Sequence, residues 1–112
     1  MAEPYLKILM IKIEILDIKH DEGVVFECKH FFSGAALYAN GNICATLTPV
    51  GFGIKLPAKS VTTVINSGDG KELRYFENSP IKKEYVVLSQ AVIDDPDRLK
   101  NLLRQSITYV LG

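Results

Sequence analysis

Ala35-Ala36-Leu37-Tyr38-Ala39-Asn40-Gly41-Asn42-Ile43-Cys44-Ala45-Thr46-Leu47-Thr48 is the stretch that decides the fold. A short apolar run, Ala35 to Ala39, meets Asn40-Gly41, and Asn42 to Thr48 forms the return strand. Asn followed by Gly accepts the positive φ that both central positions of a type I′ turn require, so the stretch reads as an antiparallel β-hairpin. Upstream, beyond the break at Asp21-Glu22-Gly23, Val24 to Phe32 is rich in β-formers. Downstream, Pro49-Val50-Gly51 makes a second turn into Phe52 to Leu56, a strand with Phe52, Ile54 and Leu56 on one face and Lys55 on the other. Together these segments describe a meander.

Pro57 is placed to open a short helix at its first position, where its missing N–H costs nothing. Val61, Val64 and Ile65 give that helix an apolar stripe until Asn66-Ser67-Gly68 ends it. Leu73 to Phe76 and Lys83 to Leu88 read as two more strands, separated by the turn formers Glu77-Asn78-Ser79-Pro80. The last element is the clearest: Asp95 stands as N-cap before a first-turn Pro96, Asp97 adds favourable negative charge, and Leu99, Leu102, Leu103, Ile107 and Val110 recur at helical spacing until Gly112. Tyr5 to Lys19 stays ambiguous. Ile11 to Ile15 alternates like a strand, the length suits a helix, and at helical period the apolar residues spread almost all round. The order of a first element, three strands, a short helix, two strands and a long helix predicts an α+β fold, one antiparallel sheet with helices packed on a face.

At 112 residues the chain has the size of one domain, expected to run from 1 to 112. Hydrophobic residues at 47% and charged residues at 23% exclude intrinsic disorder. Thirteen basic residues balance thirteen acidic ones, so no global field draws the protein to nucleic acid or an anionic membrane. Lys7, Lys12, Glu14 and Asp17 interrupt the apolar run from Leu6 to Ile18, which excludes a spanning helix and a signal peptide and leads us to expect a cytoplasmic protein. Its two cysteines, Cys28 and Cys44, are then expected to be reduced.

The stretch Lys29-His30-Phe31-Phe32-Ser33-Gly34, continuing to Asn40-Gly41-Asn42-Ile43-Cys44-Ala45, resembles the basic–Met-Phe-Gly-Gly opening, apolar strand and Asn-Gly-Asn turn of the TfoX N-terminal domain family of competence regulators. Ile54-Lys55-Leu56-Pro57 is similar to that family's strand-to-helix junction. Ile81 to Leu88 with Asp94-Asp95-Pro96 is similar to its last strand and helix. The resemblance holds its order from about Lys29 to Gly112. It implies a two-layer, secretion-chaperone-like fold in the order α-β-β-β-α-β-β-α, with about five strands and with Tyr5 to Lys19 as helix. Two departures stand out: the family's Met is Phe31 here and its first Gly is Ser33, which leaves Gly34 for any close backbone approach. The resemblance also implies a non-enzymatic regulatory module associated with transcriptional control of competence genes. The family's longer regulators carry a further C-terminal helical domain, where nucleic-acid binding would be expected.

No catalytic, cofactor-binding or metal-binding residues emerge from the sequence. His20, Cys28, His30 and Cys44 are the potential zinc ligands, but tetrahedral sites normally show paired spacings such as C-x₂-C, and Cys28 and His30 supply only one Cys-x-His. As a Cys-His nucleophile the pair lacks an orienting group and an oxyanion site. Asp94, Asp95 and Asp97 are accounted for by helix capping. Gly51-x-Gly53 and Gly68-x-Gly70 lack a phosphate-loop lysine and read as turns. Arg74, Lys82 and Lys83, with Lys55, Lys59 and Lys71, surround Tyr75, Phe76 and Tyr85 in a pattern that would suit nucleic-acid or small-ligand binding on a basic and aromatic sheet surface. Glu72, Glu77 and Glu84 dilute that charge, and the competing reading is a soluble sheet edge. The expectation is a non-enzymatic protein-interaction module without cofactor, a homodimer with an unidentified protein partner and no membrane contact.

Overall fold

The computed structural model describes residues 3–18, 23–74 and 79–112. Its elements are α1 (Glu3–Leu16), β1 (Phe26–Phe31), β2 (Gly34–Ala39), β3 (Asn42–Thr48), β4 (Gly51–Lys55), α2 (Ala58–Asn66), β5 (Gly70–Glu72), β6 (Tyr85–Leu88), α3 (Gln90–Ile93) and α4 (Pro96–Leu111). The strands form one sheet of six in the order β1-β2-β3-β4-β6-β5, with every neighbouring pair antiparallel. The fold is α+β, as the strand and helix pattern predicts, with one strand more than the expected five or so.

Asn40 and Gly41 turn β2 into β3 with φ of 49° and 80°. Asn40 also fastens the start of β1, since its side-chain oxygen accepts from the Val25 amide at 2.7 Å. The extra strand arises at Phe32-Ser33. Phe31 pairs with Gly34, so Phe32 and Ser33 form a complete hairpin loop although a phenylalanine takes its first place, and the β-rich run and the apolar run on either side are two strands. Gly34 makes the close approach: a Cβ there would lie 2.1 Å from the Leu47 carbonyl oxygen. The strand expected over Leu73 to Phe76 lies earlier, at β5; Leu73 and Arg74 are not in a strand, and Tyr75 to Asn78 fall outside the described residues. Ser89 caps an unforeseen single turn, α3, through its hydroxyl to the Val92 amide at 3.4 Å.

Tyr5 to Leu16 is helical, which settles the ambiguous first element. Leu9 and Leu16 seat α1 on the β1–β2 side of the sheet. Leu99, Leu103, Ser106 and Ile107 seat α4 over β3 and β4. Leu37 of β2, Ala45 of β3, Phe52 and Ile54 of β4, and Val86 and Leu88 of β6 line the face beneath. All four helices lie on this face, and burying each large apolar side chain there contributes about 1.5–3 kcal/mol. Among the described residues no helix is long and apolar enough to cross a membrane.

Candidate functional site

The opposite face of the sheet carries Lys29 and Phe31 from β1, Ala36 and Tyr38 from β2, Thr46 and Thr48 from β3, Gly53 and Lys55 from β4, and Tyr85 and Val87 from β6. Strand alternation puts them there together. Ala36, Thr46, Gly53 and Val87 are buried, and Leu73 packs over Gly53 to make a small second core. Thr46 Oγ1 is buried there with no hydrogen-bond partner among the described residues.

Beside this patch opens a cleft of about 790 Å³, bounded by Phe31, Phe32 and Ser33 at the first hairpin, Thr48, Pro49 and Val50 at the β3–β4 turn, and Ser79, Lys82 and Tyr85. Its walls are mostly apolar, with the Lys82 ammonium as their cation. A second hollow of about 580 Å³ lies at one end of the strands, where Tyr38, Ile43 and Lys55 of the sheet meet Glu84 and, from α4, Tyr109. There the Tyr109 hydroxyl donates to the Glu84 carboxylate, and this hydrogen bond holds the phenol above its ordinary pKa.

Phe32 forms the rim. It holds φ of 50°, a left-handed conformation rarely adopted by a bulky residue, yet 82% of its surface is exposed. Its ring meets Phe31 edge to face at 4.6 Å between centroids. A two-residue hairpin tip normally carries Asn-Gly, which tolerates this backbone without strain. Phe-Ser therefore breaks the local rule while placing an aromatic ring at the mouth of an apolar cleft.

The nucleic-acid pattern is not assembled as a whole. Lys59 lies on α2, in the helical layer, and Tyr75 and Phe76 fall outside the described residues. Lys55 holds its ammonium 5.8 Å from the Tyr85 ring centroid, and Lys29 sits 5.4 Å from that of Tyr38, so both tyrosine rings already have a cation over a face that a base would stack on. Lys82 does reach the cleft. What sequence reasoning missed is the Phe31-Phe32 pair as a wall; the available signal was two consecutive aromatics between strands, with no glycine to explain the turn.

The four potential zinc ligands are not brought together either. His20 lies outside the described residues, and among those described no group of three or more His, Cys, Asp or Glu is placed to hold a metal. Cys28 is on the edge strand, half buried, and its thiol is pushed up by burial. Cys44 is the extra residue of a bulge in β3, where its thiol donates to the Leu37 carbonyl at 3.4 Å. Burial, with a smaller contribution from Cys28, pushes it up to about 12. Asp95 caps α4 by accepting from the Arg98 amide at 3.3 Å, and Asp94 accepts from the Gln90 side chain at 2.9 Å. Gly51 and Gly68 have positive φ and stand at the β3–β4 turn and beyond the end of α2, as turn residues should.

One antiparallel sheet, helices on one face and an aromatic cleft on the other define a two-layer α+β domain of about a hundred residues. Residues 24–109 match the model of the TfoX N-terminal domain, and the chain belongs to that family. The match leaves α1 outside it. No curated protein matches the chain significantly.

Proposed function

We propose that this chain is a non-enzymatic regulatory module of the cytoplasm, a single domain that works as a homodimer and captures a segment of another protein in the cleft on the open face of its sheet. Membership of a family associated with competence regulation supports the regulatory half of that reading. The observation that carries the binding half is Phe32. A side chain held exposed on a strained backbone at the rim of a cleft is better explained by what it grips than by the fold it burdens. The occupant fitting these walls is an extended peptide with a large apolar side chain between Phe31, Phe32 and Tyr85 and a carboxylate near Lys82.

Selection from a displayed peptide library tests this. The expected peptides carry an aromatic or aliphatic anchor beside Asp or Glu, and they lose about tenfold or more in affinity for Phe32→Asn, the loss typical of removing an aromatic anchor. The same substitution relieves the hairpin and leaves the melting temperature unchanged or raised. Peptides that bind Phe32→Asn as well as wild type, or tight salt-dependent binding of random DNA, would replace this reading with another.

A further inference from the structure

We infer that the exposed face of α1 is the surface on which two copies of this chain pair, antiparallel, about a two-fold axis near Ile11. This rests on the homodimer in the reading above and adds its surface. Leu9 and Leu16 point α1's inner side at the sheet, yet Ile8, Ile11 and Ile15 are 49%, 48% and 74% exposed. With Pro4, also exposed, they recur at intervals of four, three and four residues, the spacing of a coiled-coil seam. A core-facing stripe and a second seam explain why the apolar residues of this helix spread almost all round.

The flanking charges choose the partner and its direction. Lys7 and Glu14 are one heptad apart, so they lie on the same flank of the seam, while Lys12 lies on the other. In an antiparallel pair like flanks meet. Lys7 then faces Glu14 of the second copy, twice by symmetry, as Ile11 meets Ile11 and Ile8 meets Ile15. A parallel pair would instead set Lys7 against Lys12 of its mate. Neither Lys7 nor Glu14 makes an ion pair among the described residues. Two heptads are too short to pair as free peptides, but α1 is already ordered on the sheet, so association does not have to form the helix. The interface is of the small, weak class, with dissociation expected in the range of about 10 μM to 1 mM.

Sedimentation velocity from about 1 μM to 1 mM, with circular dichroism to verify folding, tests the pairing. The wild type is expected to dimerise in that range, and Ile11→Glu, which sets two carboxylates face to face on the axis, to be monomeric throughout. Lys7→Glu or Glu14→Lys alone should weaken the dimer about tenfold, because two attractive pairs become repulsive, and the double variant Lys7→Glu/Glu14→Lys should recover it. A dimer indifferent to Ile11→Glu overturns the α1 surface while leaving the homodimer standing, and a dimer strengthened by Lys7→Glu alone overturns the antiparallel arrangement. A wild type monomeric at every concentration overturns the homodimer itself. Wild-type binding to phosphatidylcholine vesicles that Ile11→Glu abolishes, without a dimer, would assign the seam to a lipid surface and overturn the pairing.

Discussion

Ser106 is a serine on the buried stripe of α4, between Leu103 and Ile107, and it is fully buried. Its hydroxyl donates to the Cys44 carbonyl at 2.8 Å across 62 residues of sequence. Cys44 is the bulge residue of β3, and bulged residues fall out of the regular ladder, so the helix supplies what the sheet does not. Ser106→Ala removes that donor from a buried site and is expected to destabilise the chain by about 1–3 kcal/mol, read as a lower urea midpoint at unchanged slope. The apolar spacing of Leu99, Leu102, Leu103, Ile107 and Val110 passed over Ser106, because a serine gives no apolar signal, and the carbonyl it serves was not visible either, because a bulge has no composition of its own.

Asp69 is a second residue whose partner is distant in sequence. Hydrogen bonds from Arg98 on α4 and, less strongly, from Ser67 hold its carboxyl below the ordinary value of 3.8. A depressed pKa means stability that is present above the unfolded-state value and lost as pH falls through the folded one. The melting temperature of wild type should therefore exceed that of Asp69→Asn at pH 6, and the gap should close between about pH 4 and pH 2. Both side chains are open to solvent, so high salt should shrink the gap as well. A gap that persists at pH 2 would mean that Asp69 acts through the backbone turn rather than its charge.

At the scale of elements, legibility followed the strength of local chemistry. The β2–β3 hairpin and α4 stand where Asn40-Gly41 and Asp95-Pro96 place them, because one demands positive φ and the other supplies a cap. The β1–β2 hairpin escaped since Phe32-Ser33 adopts its turn against local preference, held by the pairing of Phe31 with Gly34. β5 was misplaced because three residues, Gly70 to Glu72, give too short a window for period-two alternation, whereas Leu73 advertised itself as a strand residue and instead folds over Gly53. α1 was undecidable from the sequence for a physical reason: a helix with two apolar faces has no single moment to detect.

Across the whole molecule, the two thiols stand at opposite ends of a gradient in protection. β1 is an edge strand bonded only to β2, so Cys28 can be uncovered by local fraying, while Cys44 lies in β3 with a strand on each side and α4 above. Chemistry compounds this, since the thiolate is the reactive form and burial pushes the Cys44 thiol up, which keeps it protonated at pH 8. Two phases are therefore expected on titration with a disulfide reagent at pH 8. Cys28 should react first, at a rate nearly independent of low urea, and Cys44 at a rate that climbs with urea along the global unfolding free energy. Mass spectrometry of partly labelled protein assigns the order. Equal rates at the two sites would mean that β1 opens only with the whole domain, and a fast Cys44 would mean that α4 lifts from the sheet on its own.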